Sequence, residues 1–317
     1  WWSDAAIDEL LTAKVRSDLS VARGYFERVI GEVETGAAIV AESHGLQTAL
    51  ARGDEAAVQL ILAGYRERSG LTFLNWRLPD GRPRTGDRGP LETVPDQPPP
   101  GWPALDRIRN EAPGIALREH DSRAHVMVME AAAIGVLAPQ AQSQVAVPIL
   151  ATEGATPTDR TREDRALVVV ASSPVIDTRG RLLGHIQAGV LLNRNLDFID
   201  RINEIVYPDG SLPLGSQGTA TVFLDDLRIS TNVRLFGPGD RAGTRAIGTR
   251  VSDSVRRAVL ERGETWLDRA FVVNEWYVSA YQPLTDHRGQ RVGMLYVGFL
   301  EAPFTLLKWA VLGAIGV

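Results

Sequence analysis

The side chains that most often carry catalysis are few in this sequence and poorly placed for it. The five histidines lie at positions 44, 120, 125, 185 and 287, and only His120 and His125 are close together. Because this spacing matches none of the common metal-ligand motifs, we predict no metal site, and a structural metal is the alternative. The absence of cysteine excludes thiol catalysis, thiolate metal centres and disulfides.

Short catalytic motifs are also missing. Gly215-Ser216-Gln217-Gly218 lacks the spacing of a serine-hydrolase nucleophile elbow, and no phosphate-binding loop ends in Gly-Lys-Ser or Gly-Lys-Thr. The glycines between positions 237 and 243 do not have the spacing of a dinucleotide site and do not open a helix. A formal net charge of −5 gives no positive field for nucleic acid. We therefore expect no enzyme active site, no cofactor and no nucleic-acid partner.

The residues that could bind a small molecule are aromatic side chains and arginines on predicted strands and loops. Trp76 and Arg77 are adjacent on one predicted strand, so they face opposite sides and at most one of them lines a pocket. Arg118 and His120 are two residues apart on another stretch, so in a strand they would face the same side. The remaining candidates lie in the second half of the chain and are Arg228, Thr231, Arg250, Trp276, Tyr277 and Tyr281. For each of them, core packing or a surface salt bridge is the alternative, because sequence does not show which polar groups converge.

The elements that must position these residues include an internal repeat with an offset of 109 residues. Residues 169–189 and 278–298 both read V-x-A-x-x-P-x-x-D-x-R-G-x-x-x-G-x-x-x-x-G without a gap. This pattern predicts a strand, a D-x-R-G turn and a second strand in each copy. The shared aspartate, Asp177 or Asp286, starts the turn, and the glycine three residues later supplies its positive φ. We assign these residues to the fold and predict two copies of one β-rich unit, each in its own sheet.

A long helix is predicted at the start of the chain. Residues 4–43 contain no proline, and their apolar residues recur in steps of three and four, which places them on one helical stripe. At a rise of 1.5 Å per residue this helix is about 60 Å long. The stripe can pack against the domains of its own chain, or it can pack against a partner helix in a coiled-coil dimer. The two arrangements are compatible. The stripe consists of Leu11, Val15, Leu19, Ala22, Phe26, Val29, Val33, Ala37 and Val40.

Both ends of the sequence indicate a nearby membrane. The stretch 304–317 is apolar almost throughout, but it is shorter than the roughly 20 residues that a spanning helix needs. Lys308 and Trp309, like the Trp1-Trp2 pair, are residue types found at membrane boundaries. We interpret 304–317 as the start of a transmembrane helix, and a buried C-terminal helix of a soluble domain is the alternative.

The length of 317 residues, with 44% hydrophobic and 23% charged residues, is typical of about two globular domains. The proline-rich stretch 90–103 and the polar stretch 152–164 are predicted to be loops, and Pro79-Asp80-Gly81-Arg82 is predicted to be a turn. Further helices are expected at 54–68, with a cap at Gly53-Asp54, at 196–206, with Asn193 or Asn195 as the cap, and at 252–262. Further strands are expected at 71–78, 115–118, 125–129, 145–150, 218–224, 227–231 and 265–273.

Several blocks of the sequence resemble the double Cache, or tandem PAS-like, sensor domains of bacterial transmembrane receptors. Similarity to the membrane-distal half lies in 157–161 and 189–195, and similarity to the membrane-proximal half lies in 218–220, 228–234, 245–252, 269–277 and 293–298. The resemblance covers about residues 110–303. It implies an α+β fold in which a long N-terminal helix carries two Cache domains, each an antiparallel sheet of five to six strands with flanking helices.

The expected domains are a stalk helix at 1–45, a membrane-distal Cache domain at 46–206, a membrane-proximal one at 207–303, and the start of a second transmembrane helix at 304–317. The resemblance implies an extracytoplasmic sensor that binds a small organic acid, amino acid or amine and signals to a cytoplasmic output. That output is expected to be a histidine kinase, with a chemoreceptor or nucleotide cyclase as alternatives. We also expect attachment to the membrane through flanking helices and a homodimer through the long helix. The rival function is that of a soluble periplasmic solute-binding or hydrolytic protein with a membrane-anchoring tail.

Overall fold

The chain folds into two compact units. The computed structural model describes residues 2–78, 124–235, 243–273 and 275–315. One unit, here called the terminal unit, comprises Trp1–Glu27, Ala146–Asp164 and Leu192–Val317. The other, here called the inserted unit, comprises Arg28–Val145 and Arg165–Leu191. The domain limits expected from the sequence remain a prediction.

The described residues form eight α-helices and eleven strands. The helices are α1 (Trp2–Glu42), α2 (His44–Arg52), α3 (Glu55–Arg68), α4 (Ala131–Leu137), α5 (Gln142–Val145), α6 (Leu196–Val206), α7 (Asp253–Arg256) and α8 (Ala302–Ile315). The strands are β1 (Phe73–Arg77), β2 (His125–Glu130), β3 (Val147–Pro148), β4 (Arg162–Glu163), β5 (Arg165–Ile176), β6 (Leu182–Leu191), β7 (Gly218–Leu224), β8 (Leu227–Thr231), β9 (Trp266–Val272), β10 (Glu275–Thr285) and β11 (Arg291–Leu300).

Helix α1 confirms the predicted long helix and its apolar stripe. Every residue of the stripe is buried except Leu11, which is half-buried. The part of α1 up to Glu27 belongs to the terminal unit, and the part from Arg28 onward belongs to the inserted unit. Because the chain itself buries the stripe, a coiled-coil partner would have to pack against another face of α1.

Two of the shorter helices begin at the capping residues that the sequence predicts. Asp54 Oδ1 accepts a hydrogen bond from Ala57 N at 3.0 Å, and α3 follows directly. Asn195 Oδ1 accepts one from Phe198 N at 3.1 Å, and α6 has the predicted bounds. Each cap provides an acceptor for an N–H group that has no partner inside the helix.

The inserted unit contains a four-stranded sheet among the residues described. Its strand order is β1-β6-β5-β2, and all neighbours are antiparallel. Helices α4 and α5 cover one end of one face of this sheet. Phe73, Met127 and Leu191 of the sheet pack there against Ile134 and Leu137 of α4 in a buried apolar cluster.

The terminal unit contains a five-stranded antiparallel sheet with the order β8-β7-β11-β10-β9, and β3 and β4 form a separate two-stranded pair. One face of the large sheet packs against α7 and the residues after it. The predicted helix over 252–262 is α7 followed by a π-helical turn at Arg257–Glu261. Val255 and Val259 from this segment share a buried cluster with Tyr281, Met294 and Tyr296 from the sheet.

The two repeat copies form equivalent hairpins in separate sheets, as predicted. β5 pairs with β6 in the inserted unit, and β10 pairs with β11 in the terminal unit. Asp177 Oδ1 accepts hydrogen bonds from the backbone N–H groups two and four residues later, at 2.8 and 2.9 Å, and Asp286 Oδ1 repeats both distances. Gly180 and Gly289 have φ values of 77° and 75°. The assignment of these residues to the fold is therefore confirmed.

The equivalence extends beyond the hairpins to their neighbouring strands. β1 lies beside β6 as β7 lies beside β11, and β2 lies beside β5 as β9 lies beside β10. His185 is opposite Arg77, and the equivalent residue Met294 is opposite Phe223. Arg77 and Phe223 therefore occupy the same position in the two sheets. Among the described strands of the inserted unit, none corresponds to β8.

Several expectations from the sequence need correction or lie outside the described residues. The strand expected at 145–150 is reduced to β3, because Val145 ends α5. Helix α8 begins at Ala302, so Pro303 lies in its first turn, where a proline is tolerated because the first N–H groups of a helix have no acceptor within it. The turn, loop and strand expected at 79–82, 90–103 and 115–118 lie outside the described residues. No helix in the described ranges is long and apolar enough to cross a membrane.

Candidate ligand-binding sites

One face of the inserted sheet carries a group of polar side chains beyond the apolar cluster. Strand pairing places Arg77 opposite His185 and Asn75 opposite Gln187, and Gln187 is also opposite Ser172. Residues that are directly opposite in an antiparallel pair point to the same side of the sheet. These five residues therefore share one face, which we call the Arg77 face.

His185 is buried on the Arg77 face and makes no hydrogen bond to the residues that the structure describes. It is only 2% exposed, and neither ring nitrogen has a partner among the residues that the structure describes. Burial lowers the pKa of its imidazole to about 4. The ring is therefore neutral near pH 7 and offers one N–H donor and one nitrogen acceptor.

Gln187 and Arg77 add further polar atoms close to His185. Gln187 is 4% exposed, and its Oε1 has no hydrogen-bond partner in the described part of the chain. Arg77 is 5% exposed, and burial lowers the pKa of its guanidinium to about 10, so it stays charged near neutral pH. Buried polar groups without partners are unusual in folded proteins, so the His185 ring nitrogens and Gln187 Oε1 call for a donor or acceptor from a bound molecule or water.

Of the adjacent pair Trp76 and Arg77, the structure places only Arg77 on this face. Trp76 lies opposite Ile186, so its indole points to the other side of the sheet, as strand alternation requires. Arg118 and His120, the other two candidates in this part of the sequence, lie outside the described residues.

The terminal sheet buries a second cation on one of its faces, among aromatic rings. Arg228 of β8 lies opposite Phe223 of β7, and its Cζ atom is 5.1 Å from the centre of the Phe223 ring. The Tyr281 ring is 6.0 Å from that of Phe223 and 4.6 Å from that of Tyr296, between ring centres. Tyr277 lies on the same side of β10 as Tyr281. We call this group the Arg228 face.

The tyrosines of the Arg228 face are neutral donors that lie within reach of the guanidinium charge. Burial is the largest cause that raises the pKa of Tyr277, Tyr281 and Tyr296, and the charge of Arg228 acts on all three in the opposite direction. Tyr296 Oη lies 3.1 Å from the Thr219 hydroxyl oxygen. Their hydroxyl groups therefore stay protonated at any physiological pH.

The other candidates of the terminal unit have different roles. Thr231 is fully buried, and its hydroxyl lies 2.6 Å from that of Thr221 and donates to the carbonyl of Ala220 at 3.2 Å, so its bonds are made within the sheet. Arg250 donates to both carboxylate oxygens of Asp226, at 3.1 and 2.6 Å. A further guanidinium hydrogen bond from Arg250 goes to a carbonyl oxygen in the 146–164 segment, so its contacts hold that segment on the sheet.

Trp276 lies on the side of β10 opposite to Tyr277 and is 55% exposed. Its ring makes an edge contact with Phe271, with ring centres 5.6 Å apart. The structure therefore separates Trp276 from the tyrosines with which the sequence grouped it. Its expected role as a ligand contact remains a prediction.

Comparison with known families finds one match, which lies almost entirely in the terminal unit. Residues 190–309 match the model of the family described as single Cache domain 3. Cache domains are ligand-binding sensor modules without catalytic activity. All residues of the Arg228 face lie within the matched range.

Solved structures of sensor domains are similar to most of the chain, although distantly. The periplasmic domain of Vibrio cholerae LuxQ has 10% sequence identity and a TM-score of 0.47, with 90% of this chain and 98% of that chain covered. The ligand-binding domain of the Pseudomonas aeruginosa chemoreceptor PctB, solved with L-Arg, has 12% identity and a TM-score of 0.35, with 93% and 95% covered. The extracellular domain of the putative histidine kinase vpHK1S-Z8 has 9% identity and a TM-score of 0.43, with 93% of each chain covered. No curated protein shows a significant match.

Sequence reasoning missed His185 and Gln187 as site residues, although the repeat contained the signal. At the offset of 109 they align with Met294 and Tyr296 of the Cache-matched copy. Polar residues in the first copy thus occupy positions that are apolar or aromatic core in the second. Tyr296 was missed as well, since the repeat pattern has no fixed residue type at its position. Within the described part of the chain, no group of three or more His, Cys, Asp or Glu could hold a metal ion.

Proposed function

We propose that this chain is the extracytoplasmic ligand-sensing region of a transmembrane receptor, built from two Cache-type units. A small molecule binds the inserted unit, and the resulting conformational change reaches a cytoplasmic histidine kinase. The chain itself carries out no reaction.

The observation that carries this proposal is the shared geometry of the two sheets. The family match covers the terminal copy, and the inserted copy repeats its strand neighbours, its turn hydrogen bonds and its register shift. A unit whose four described strands reproduce the order and register of four of the five strands in the matched sheet is best explained as a second Cache unit. This argument supports the tandem arrangement that the sequence predicts.

The ligand site of the inserted unit is assigned to the Arg77 face. Arg77 supplies a charged donor for a carboxylate, His185 supplies one donor and one acceptor, and Gln187 supplies an acceptor. These groups suit an amino acid or a polar organic acid, which combines a carboxylate with further donors and acceptors. Binding would satisfy the His185 and Gln187 atoms that have no partner among the described residues, and it would thereby stabilise the liganded state.

The route to the output runs through the end of the terminal sheet. The last strand, β11, is separated from the apolar helix α8 by Glu301 alone. Glu301 N donates to the carbonyl of Trp276 at 3.0 Å, and the Glu301 carboxylate pairs with Arg269, which also donates to Asp8 of α1 at 2.9 Å. A shift of β11 therefore acts on the start of α8 and on α1 together. In this proposal α8 continues into the membrane, and ligand binding shifts the population between two positions of this junction.

A ligand screen tests the proposal on the full 317-residue chain. Amino acids, organic acids and amines are added one at a time, and the melting temperature is followed. We expect at least one compound to raise it in a saturable way. The effect should disappear in the His185→Leu and Gln187→Leu variants and persist in Trp276→Ser, whose side chain is exposed in the other unit. Stabilisation that survives both inserted-unit substitutions would show that the Arg77 face is not the site.

The rival function, a soluble periplasmic solute-binding or hydrolytic protein with an anchoring tail, makes a different prediction. It requires no coupling between the ligand and a cytoplasmic partner. The full parent reading frame decides between the two, since a kinase, chemoreceptor or cyclase module after residue 317 supports a receptor. Ligand-dependent phosphorylation in vesicles that contain the full-length protein is the functional test, and its absence with a confirmed ligand would favour the rival.

The homodimer is part of the same proposal, but its surface differs from the one first expected. The apolar stripe of α1 is buried within the chain, whereas Leu10, Val21 and Ile39 are exposed. Successive members of this set are separated by about three and five whole helical turns, so the three residues lie along one line of the helix. If α1 mediates a dimer, Val21→Glu should shift the sedimentation coefficient to that of a monomer. A dimer that tolerates this change uses another surface.

A further inference from the structure

We propose that the sheet of the terminal unit has a lipid-binding surface of its own, at the end where α8 begins. This surface, here called the aromatic tip, consists of Phe271 of β9 and Trp276 of β10, and it enters the headgroup region of a bilayer. The proposal rests on the part of the proposed function that brings α8 to a membrane. It adds a second contact, which the sheet makes directly.

The aromatic tip is a pair of exposed rings at the hairpin between β9 and β10. Phe271 and Trp276 are directly opposite each other in this antiparallel pair, and their ring centres are 5.6 Å apart. Trp276 is 55% exposed and Phe271 is 43% exposed, so the contact between the rings leaves about half of each side chain open to solvent. Large apolar side chains that are exposed together are typical of an interaction surface.

The start of α8 is fixed beside the aromatic tip. Glu301 N, one residue before α8, donates to the carbonyl of Trp276 at 3.0 Å. Phe304 in the first turn of α8 packs on Phe299 of β11, with ring centres 4.8 Å apart. Whatever surrounds the beginning of α8 therefore also reaches the aromatic tip.

Other exposed apolar side chains are concentrated at the same end of the terminal unit. Leu306 and Leu307 of α8 are exposed, and so is Leu214 in the turn Pro213–Gly215, which lies next to α8. Together with the aromatic tip, these residues make up half of the large apolar side chains that are exposed in the described part of the chain. Their clustering indicates that this end of the unit is covered by something apolar.

The composition of α8 identifies the covering phase as lipid. Only Thr305 and Lys308 carry a polar side chain in this 14-residue helix, so it has no polar face. A helix on the surface of a soluble assembly keeps a polar stripe toward water, whereas a helix that is apolar all round is embedded. Tryptophan favours the boundary between hydrocarbon and water, because its ring is apolar and its N–H is polar. A bilayer that receives α8 therefore meets Trp276 at its surface.

The charges near the aromatic tip predict which lipids it contacts. Attraction to anionic lipid requires a surplus of basic residues. Here the acidic residues outnumber the basic one, since Arg269 is accompanied by Asp8, Asp268, Glu275 and Glu301. We therefore expect the aromatic tip to bind zwitterionic lipid through apolar contact, with little dependence on salt.

The test uses single fluorescent labels on the full chain. The sequence contains no cysteine, so one introduced cysteine is a unique attachment point. Glu275→Cys places the label next to the aromatic tip, and Arg288→Cys places it at the other end of β10, roughly 30 Å away; both residues are exposed. The labelled chain is mixed with phosphatidylcholine vesicles that carry a quencher in the headgroup region. We expect quenching and a shift to shorter wavelength at 275, and no change at 288.

Substitution of the two rings tests whether they cause this contact. Phe271→Ser combined with Trp276→Ser should lower the quenching at 275 to the level seen at 288. Leu60→Ser is the matched control, because Leu60 is an exposed leucine on α3, and it should leave the quenching unchanged. Circular dichroism checks that each variant is folded. Quenching at 275 that persists in the folded double variant overturns the inference.

A third label, at Leu307→Cys in α8, separates this inference from the proposed function. Quenching at 307 without quenching at 275 leaves the membrane route through α8 intact and overturns the aromatic tip. The absence of quenching at both positions overturns the aromatic tip and the membrane junction together. Quenching at 275 that requires anionic lipid contradicts the apolar contact. A label at 275 that becomes shielded without vesicles as the protein concentration rises assigns the surface to a contact between two copies instead.

Discussion

Gly184 lies against the backbone carbonyl of Arg77 so closely that a Cβ atom added to the glycine would be 2.1 Å from that oxygen. The equivalent glycine of the second repeat, Gly293, has the same relationship to Phe223, with a corresponding distance of 2.0 Å. In both units the second glycine of the repeat thus allows the hairpin to approach its neighbouring strand. Gly184 also has a φ of 147°, which side chains rarely adopt.

Replacing either glycine by alanine should destabilise the chain strongly. A backbone oxygen cannot move aside as a flexible side chain can, so Gly184→Ala and Gly293→Ala should each lower the free energy of unfolding by about 2–4 kcal/mol. Denaturant unfolding followed by circular dichroism measures this loss. The matched control is Gly24→Ala in α1, where an added Cβ meets nothing within 4 Å. That change should instead raise stability by about 0.5–1 kcal/mol, and a loss of stability there would mean that the helix is not continuous at this point.

The Asp226–Arg250 pair should be one of the most sensitive polar contacts of the terminal unit. Asp226→Ala leaves the Arg250 guanidinium largely buried with only carbonyl partners, so we expect a loss of about 3–5 kcal/mol in unfolding free energy. The exposed pair of Arg201 and Glu204, 3.0 Å apart with side chains 62% and 65% exposed, provides the comparison. Arg201→Ala should change stability by less than about 0.5 kcal/mol. Similar effects at both sites would contradict the structural role of Arg250.

His185 predicts how the inserted unit responds to acid. Its pKa of about 4 in the folded chain lies below the ordinary value of 6.5, so the unfolded chain binds this proton more readily. Stability is therefore unaffected above pH 6.5 and falls as the pH drops from 6.5 to 4, by on the order of 3 kcal/mol. Unfolding at a series of pH values measures this slope. His185→Leu should flatten it in that window, and an unchanged slope would show that the imidazole is not held neutral.

The junction between β11 and α8 predicts the behaviour of the intact receptor. Replacing Ala302-Pro303 by Gly-Ser makes the start of α8 flexible, because proline fixes its own φ and limits the residue before it. Ligand affinity of the isolated chain should stay the same, while ligand-dependent output in the full-length receptor should be lost. If signalling survives, the route through β11 is wrong, and α1 becomes the better candidate for transmission.

The sequence predicted those parts of the fold that depend on short-range patterns. The stripe of α1, the caps Asp54 and Asn195 and the two repeat hairpins all follow from side chains at fixed spacing, and the structure confirms them. The π-helical turn after α7 did not follow, because packing on the terminal sheet decides it. The shortness of β3 did not follow either, because Val145 ends α5 and packs in the apolar cluster of the inserted unit. Such tertiary effects override local preference.

The candidate sites were only partly predictable. Alternation along a strand correctly separated Trp76 from Arg77. Trp276 and Tyr277 are also adjacent on a strand and lie on opposite sides of β10, so the same alternation excludes one of them from the Arg228 face. Arg228 was named from its residue type, yet its isolation from any described carboxylate is a property of the folded chain. Which polar groups converge, and which remain without a partner, depends on strand register, and register is set by contacts distant in sequence.

The division of α1 between the two units has a consequence for biosynthesis. The N-terminal part of α1 is made first, but its partners in the terminal unit come much later, as Phe198 does for Phe26, with ring centres 5.8 Å apart. At ribosomal speeds the interval between these two residues lasts on the order of 10–30 s. During that time the whole inserted unit is synthesised, while Val15, Leu19 and Phe26 have no native surface to cover them. The nascent chain therefore presents an apolar helix that a chaperone must shield until the last sheet closes, and slower translation should make this protein more prone to aggregate.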